Sequence, residues 1–151
     1  MTDYPSPPSN TPLMPGPVPL SESDERTWAM VSHLSVLVNL VTGALGPIIP
    51  LIIYFVFKDR SRYVAYHSLQ SFLMQLIVWV GGGTLTGLAW AVTVPLIFLA
   101  VGLLCIPFAL LITALPLLAL IYGVWGAVET SQGKDFKYWL IGDWVRGLLS
   151  A

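Results

Sequence analysis

Two long stretches of the chain contain no formally charged residue. The first runs from Thr27 to Phe57, and the second fills the 66 positions between Arg62 and Glu129. One helical crossing of a bilayer needs about 20 apolar residues, and a charge within it is costly. The pattern therefore predicts an all-α, polytopic membrane protein with four transmembrane helices and a C-terminal amphipathic helix at the membrane interface.

The first transmembrane helix is predicted to be broken. A straight helix over residues 28–57 would measure about 45 Å, whereas the hydrocarbon core of a bilayer is about 30 Å thick. The sequence GALGPIIP, from Gly43 to Pro50, contains two glycines and two prolines that interrupt helical hydrogen bonding. We therefore expect helices over residues 24–42 and 47–57, the second of which either completes the first crossing or re-enters the membrane.

Three further crossings are predicted after the basic turn KDRSR, which marks a membrane surface. Three consecutive glycines at residues 81–83 should end the second helix. The expected crossings cover residues 62–80, 84–104 and 107–128. At the start of the third helix, Gly83, Gly87 and Ala91 recur every four residues, a spacing typical of close helix packing inside the bundle or in a homo-oligomer.

The ends of the chain differ from the transmembrane domain, which we place at residues 23–130. Residues 1–22 contain seven of the 12 prolines and predict a disordered, polyproline-rich tail. Residues 131–151 predict an amphipathic segment on the membrane surface, because Tyr138, Trp139 and Trp144 suit the headgroup region.

Basic residues give little information on orientation, because four crossings would divide them four to three between the two sides. Those on the side of the termini would be Arg26, Lys134, Lys137 and Arg146, and those on the other side Lys58, Arg60 and Arg62. We expect both termini in the cytoplasm, since an N-terminal tail without a targeting signal is easier to leave there than to translocate.

Composition and motifs argue against several classes of function. The net charge of -1 gives no basic surface for nucleic acid. The sequence lacks the common motifs of nucleotide, zinc-protease and hydrolase sites, so we expect a protein that is not an enzyme and holds no cofactor. His33 and His67 lack a nearby acid or thiol and should hold no metal, and Cys105 should be a small apolar residue. The expected partners are the lipid bilayer and either other membrane proteins or further copies of the chain.

Two uncharged polar stripes are the strongest candidates for a functional site. Polar side chains recur at steps of three and four residues on the first and second predicted helices. Either they hydrogen-bond to each other between the helices, or they line a hydrated groove for a polar polypeptide or solute. The candidate groove residues are Ser32, Ser35, Asn39, Thr42, His67, Ser68, Gln70, Ser71 and Gln75. The candidate contacts to lipid headgroups are Lys58, Arg60 and Arg62.

Three blocks of the sequence resemble a small bacterial membrane-protein family of unknown function. They are DERTWAMVSHLSVL, GPIIPLIIYFVFKDRSRYVAYHSLQSF and GVWGAVETSQGKDFKYWLIGDW. The family is distantly similar to the chloroplast inner-envelope translocon subunit of twenty kilodaltons, and Tyr63, His67 and Gln70 follow the Tyr-x-x-x-His-x-x-Gln form of that Tic-twenty-like branch. The resemblance implies four transmembrane helices in the bacterial cytoplasmic membrane and, by analogy, a part in protein translocation or membrane-protein assembly. A structural or regulatory membrane subunit and a small-solute channel are the alternatives.

Overall fold

The structure is a computed structural model that describes residues 16–150. These residues form helices and no strand, which confirms the all-α prediction, and residues 1–15 of the predicted proline-rich tail lie outside the described part. The elements, in chain order, are α1 (Glu22–Leu34), a 3-10 turn (Ser35–Val38), α2 (Asn39–Thr42), α3 (Ile48–Phe57), α4 (Arg62–Gln75), a π-helical segment (Leu76–Gly81), α5 (Gly82–Ile97), α6 (Gly102–Ser131) and α7 (Gly142–Ser150).

The first helices form a hairpin that leaves and returns to the same end of the molecule. The chain reverses after α2 at Gly43, whose φ of 80° is readily adopted only by glycine. α3 then runs back along α1, so that the ring centroids of Trp28 and Phe57 lie 4.8 Å apart. With 10 residues, α3 is about 15 Å long, half the thickness of a hydrocarbon core. Residues 47–57 therefore turn back and do not complete a crossing.

α4, the π-helical segment and α5 form one continuous helix of 36 residues, Arg62–Ile97. The prediction that residues 81–83 end this helix is wrong. Gly81 and Gly82 keep helical φ angles of -67° and -64°, because a glycine weakens a helix by only about 1 kcal/mol and a helix end inside lipid would leave backbone groups unbonded. The π-helical turn accommodates this irregular stretch of sequence.

The second reversal lies between α5 and α6 at residues 98–101, where Ala100 takes a positive φ of 61°. The predicted boundaries at residues 104 and 107 are wrong, because α6 includes Pro107 and Pro116 without a break. A proline removes one helical hydrogen bond, and neighbouring groups can satisfy the carbonyl that it frees.

Two helices of the described chain are long and apolar enough to cross a membrane. They are Arg62–Ile97, with mean hydropathy 1.5, and Gly102–Ser131, with 30 residues and mean hydropathy 2.6. They pack as an antiparallel hairpin in which Trp90 Nε1 donates to Thr113 Oγ1 (2.9 Å). The chain thus has the features of a membrane protein, with two candidate spans and a shorter hairpin in place of the four predicted crossings.

Small residues of α6 allow α1 and the C-terminal segment to approach closely. A Cβ atom on Gly123 would lie 2.8 Å from Val36 Cγ1, and one on Gly126 would lie 2.7 Å from Phe136 Cε1. The residues predicted to pack at the start of the third helix are instead exposed on α5: Gly83, Gly87 and Ala91. The close-packing surface of the described bundle is therefore on α6.

All seven basic residues lie at one end of the molecule, here termed the charged end. Arg60 Nε donates to a backbone carbonyl just before α1 (2.9 Å), and Arg62 Nη2 donates to a carbonyl of α7 (3.2 Å). The Arg26 side chain lies against Gly133, in the connection that follows α6. The sequence predicted that four crossings divide the basic residues between two sides, whereas in the structure both hairpins begin and end at the charged end.

The C-terminal segment differs in part from the predicted amphipathic helix. Residues 132–141 are not helical, and their side chains Phe136, Tyr138 and Ile141 are buried. Tyr138 therefore does not lie in the headgroup region, as the sequence predicted. α7 follows, and Trp144 on it is exposed.

Candidate functional site

The two polar stripes meet between α1 and α4, which run parallel to each other. Ser32 Oγ and Ser68 Oγ lie 2.8 Å apart, and Ser71 Oγ donates to the Ser32 carbonyl (2.6 Å). Because these groups are fully buried, each requires a protein partner, and each has at least one on the opposite helix. The interhelical set, here termed the polar core, consists of Ser32, Ser35, Asn39, Ser68, Ser71 and Gln75.

Gln75 and Asn39 connect the polar core to the turn of the first hairpin. Gln75 Nε2 donates to Ser35 Oγ (2.8 Å) and Ser71 Oγ (3.1 Å), while its Oε1 accepts from Asn39 Nδ2 (3.1 Å). Asn39 Oδ1 in turn accepts from the Gly46 amide (2.8 Å). A Cβ atom on Gly46 would overlap the Asn39 side chain, so this position requires glycine.

A histidine pair extends the polar core toward the C-terminal segment. Gln70 Nε2 donates to His67 Nδ1 (2.9 Å), so this ring nitrogen carries no proton. His33 Nε2, 3.4 Å from the same atom, is then a second donor, and the Tyr138 hydroxyl, 3.1 Å from His33 Nδ1, donates to it. Burial raises the pKa of Tyr138, which keeps its hydroxyl protonated. The hydrogen bonds thus run in one direction, from Tyr138 through His33 to His67.

Gln70 also holds the backbone of the C-terminal segment. Its Nε2 donates to the Phe136 carbonyl (2.9 Å), and its Oε1 accepts from the Tyr138 amide (3.2 Å). These two bonds satisfy backbone groups that neither helix nor sheet satisfies. His67 Nε2 is buried and has no partner among residues 16–150.

Eight of the nine candidate groove residues are buried and bonded within this network. Such an arrangement favours hydrogen bonding between helices over a hydrated groove. The ninth, Thr42, is exposed and donates to the Val38 carbonyl (2.8 Å). The candidate headgroup contacts Lys58, Arg60 and Arg62 are exposed at the charged end.

Four carboxylates at the charged end are paired with basic side chains. The pairs are Glu22–Arg26 (3.2 Å), Glu129–Lys134 (2.9 Å), Asp143–Lys137 (2.9 Å) and Asp135–Arg146 (2.9 Å). Exposed pairs of this kind contribute about 0–1 kcal/mol each. Among residues 16–150, no three His, Cys, Asp or Glu side chains form a cluster that could hold a metal ion.

Phe136 and Tyr138 are the site residues that sequence reasoning missed, because it assigned their segment to the membrane surface. Two signals in the sequence point to them. Phe136 and Tyr138 alternate with the charged Lys137, as in an extended segment with one buried face. Gly126 on α6 has no side chain, which leaves a depression that an aromatic ring can occupy.

The region that contains the site matches a described family. Residues 24–145 match the magnetosome magnetite crystal formation protein family, and this range covers both hairpins, the polar core and the start of α7. The resemblance to a Tic-twenty-like family is therefore wrong, and the role in protein translocation that it implied loses its basis. Comparison with curated proteins and with solved structures gives no match.

Proposed function

The chain belongs to the magnetosome magnetite crystal formation protein family, and we propose that it acts in magnetite formation as a non-catalytic integral membrane protein. In this proposal both hairpins insert from one side, and the charged end forms a platform at the membrane surface for other membrane proteins or further copies of the chain. The observation that carries the proposal is the gathering of all seven basic residues at one end, beside a buried polar core.

The charged end faces the cytoplasm in this arrangement. Basic residues that flank transmembrane helices are retained on the cytoplasmic side. Here all seven basic residues lie at the charged end and none lies at the opposite end. The second hairpin supplies two crossings, and the first hairpin enters the membrane only partway. Its turn is tolerable at that depth because the Gly46 amide is bonded to Asn39. Residue 16 and residue 150 then both lie on the cytoplasmic side.

A structural role agrees with the chemistry of the polar core. Its hydroxyl and amide groups form bonds between the first hairpin and α4, and these bonds hold the two hairpins together. Interhelical bonds of this type contribute about 0.6 kcal/mol each on average. The network therefore keeps the charged end in one shape.

Cysteine accessibility tests the arrangement. In a Cys105→Ser background, Asp59→Cys, Lys134→Cys and Leu99→Cys are made singly and treated with a membrane-impermeant maleimide on spheroplasts and on inverted vesicles. We expect positions 59 and 134 to react only in inverted vesicles, and position 99 to resist the reagent from that side. Labelling of positions 59 and 134 from opposite sides would restore the four-crossing topology and overturn the proposal.

The role in magnetite formation requires a separate experiment in a magnetite-forming bacterium. Deletion of the gene should alter the size or number of crystals seen by electron microscopy, and the wild-type chain should restore them. His67→Asn and Tyr138→Phe should restore crystals in proportion to the amount of folded protein. Unchanged crystals in the deletion strain would contradict the role, and inactive variants at a normal protein level would contradict the non-catalytic part.

A further inference from the structure

A shallow cavity of about 300 Å³ opens at the charged end between α4 and α7. It lies where α4 passes from the basic turn into its apolar part, at the depth of a membrane surface. The lining residues are Arg62, Tyr63, Tyr66, Asp135, Arg146 and Leu149.

The charges of this cavity sum to one positive charge, from two arginines and one carboxylate. Arg146 Nη2 contacts both Asp135 oxygens (3.1 and 2.9 Å), and the guanidinium lies 4.9 Å from the centre of the Tyr66 ring. Arg62 Nη2 donates to the Leu149 carbonyl (3.2 Å), and no ion pair joins Arg62 to a carboxylate among residues 16–150. Most N–H groups of both guanidiniums therefore remain available to an anion.

The N-terminus of α4 adds to the positive potential. Ser61 caps the helix by accepting a hydrogen bond from the Val64 amide (3.1 Å), and the first turn contains Arg62 and no acidic residue. The positive end of a helix dipole usually has an acid beside it. Its absence leaves the site favourable to an anion from outside the described chain.

A buried tyrosine whose hydroxyl lacks an acceptor forms part of the cavity wall. Tyr66 is 7% exposed and lines the cavity, and no group among residues 16–150 accepts a hydrogen bond from its Oη. Directly behind it, His67 is fully buried with an unbonded Nε2, and the two rings lie 5.1 Å apart. A buried donor that is left unbonded destabilises a fold, so the Tyr66 hydroxyl points to a missing acceptor.

We propose that this cavity binds the phosphate of a membrane phospholipid, with Arg62 and Arg146 as its cationic walls and Tyr66 as a neutral donor. One net positive charge matches the single negative charge of a phosphodiester, so phosphatidylglycerol fits better than a doubly charged phosphomonoester. Leu149 gives an apolar wall for the glycerol part of the lipid. The exposed Trp144 and Leu148 place the adjacent surface of α7 among headgroups and acyl chains. The proposal rests on the charged end lying at a membrane surface, and it does not require a role in magnetite formation.

Lipid retention by the full chain tests the site. Native mass spectrometry is applied to protein extracted from nanodiscs that contain phosphatidylcholine with increasing phosphatidylglycerol. We expect one retained phosphatidylglycerol, and an apparent affinity about tenfold lower for Arg62→Gln and Arg146→Gln, since one charge-assisted hydrogen bond is worth about that factor. Tyr66→Phe, which keeps the ring, should also weaken retention.

Lys58→Gln is the matched control, because Lys58 is a basic residue of the same end whose Nζ lies 6.0 Å from the Phe55 ring and outside the cavity. It should retain the lipid as the wild type does. An equal loss in Lys58→Gln and Arg62→Gln would overturn the site, because the binding would then be general attraction to basic charge. Binding of inorganic phosphate without retention of lipid would overturn the lipid as the source of the phosphate.

Discussion

Asn39 donates a hydrogen bond from Nδ2 to Gln75 Oε1 over 3.1 Å, and this contact joins the turn of the first hairpin to the second hairpin. The other side-chain atom, Oδ1, accepts from the amide of Gly46, four residues beyond the end of α2. One buried amide therefore determines both where the first hairpin reverses and how deep it lies along α4.

Replacing Asn39 should destabilise the protein more than replacing any exposed residue of the same hairpin. Asn39→Ala leaves Gln75 Oε1 and the Gly46 amide unbonded, and buried groups of this kind cost about 1–3 kcal/mol each. We expect a fall of about 2 kcal/mol or more in the free energy of unfolding, measured by chemical denaturation in mixed micelles. Thr42→Ala, at an exposed position, should change it by about 0.5 kcal/mol or less. Equal effects at both positions would show that the bonds of Asn39 do not hold the hairpin.

The close-packing surface can be located with two glycine substitutions. Gly126→Ala places a methyl group 2.7 Å from Phe136 Cε1 and 3.1 Å from His33 Nδ1, so overpacking should cost about 1–3 kcal/mol. Gly87→Ala meets nothing within 4 Å and should be neutral or stabilising by about 1 kcal/mol. Thermal unfolding midpoints of the two variants decide this comparison. Destabilisation by Gly87→Ala alone would place the packing surface on α5, in a contact between copies.

The sequence was sufficient for the helical class, the break after Thr42 and the polar stripes. Each of these follows from local information: the absence of charge, the pair of glycines and prolines, and polar residues at steps of three and four. The sequence identified the individual polar residues that meet between the first hairpin and α4. It did not identify which of them bond to each other, because periodicity shows which face of a helix is polar and not which face of another helix lies opposite.

The path of the chain through the membrane could not be derived in the same way. Gly43 and Pro47 predict an interruption, but a kinked crossing and a hairpin share that pattern, and contacts between α1 and α3, such as that of Trp28 with Phe57, distinguish them. Glycines at 81–83 resemble a helix end, but lipid penalises a broken helix more than glycine weakens it. Tertiary context therefore reversed two local signals, and with them the end of the molecule at which Lys58 lies.

Gln70 should control the order of the C-terminal segment. Gln70→Leu removes the donor to His67 and both bonds to the backbone at Phe136 and Tyr138. Hydrogen exchange measured by mass spectrometry should become faster in residues 134–141 by about tenfold or more, because each lost bond lowers the local opening free energy by about 1 kcal/mol. Exchange in α5 should stay unchanged, since that helix lies outside the network. Faster exchange throughout the chain would indicate global destabilisation and contradict a local role.

Tyr138 should make the protein less stable at high pH. Burial raises the pKa of Tyr138 in the folded state above the ordinary value near 10. Above pH 10 the unfolded chain releases a proton that the folded chain keeps. Tyr138 therefore lowers the free energy of unfolding by about 1.4 kcal/mol for each pH unit above 10, and its contribution is constant below pH 10.

The variant Tyr138→Phe should lose the bond to His33 at neutral pH, at a cost of about 1 kcal/mol, yet its stability should decline less steeply above pH 10. Unfolding curves at pH 8, 10 and 11 for both proteins measure the two slopes, with tyrosinate absorbance as a check on the titration. Parallel declines of the wild type and the variant would mean that the Tyr138 hydroxyl is accessible to water and that the C-terminal segment does not cover the histidine pair.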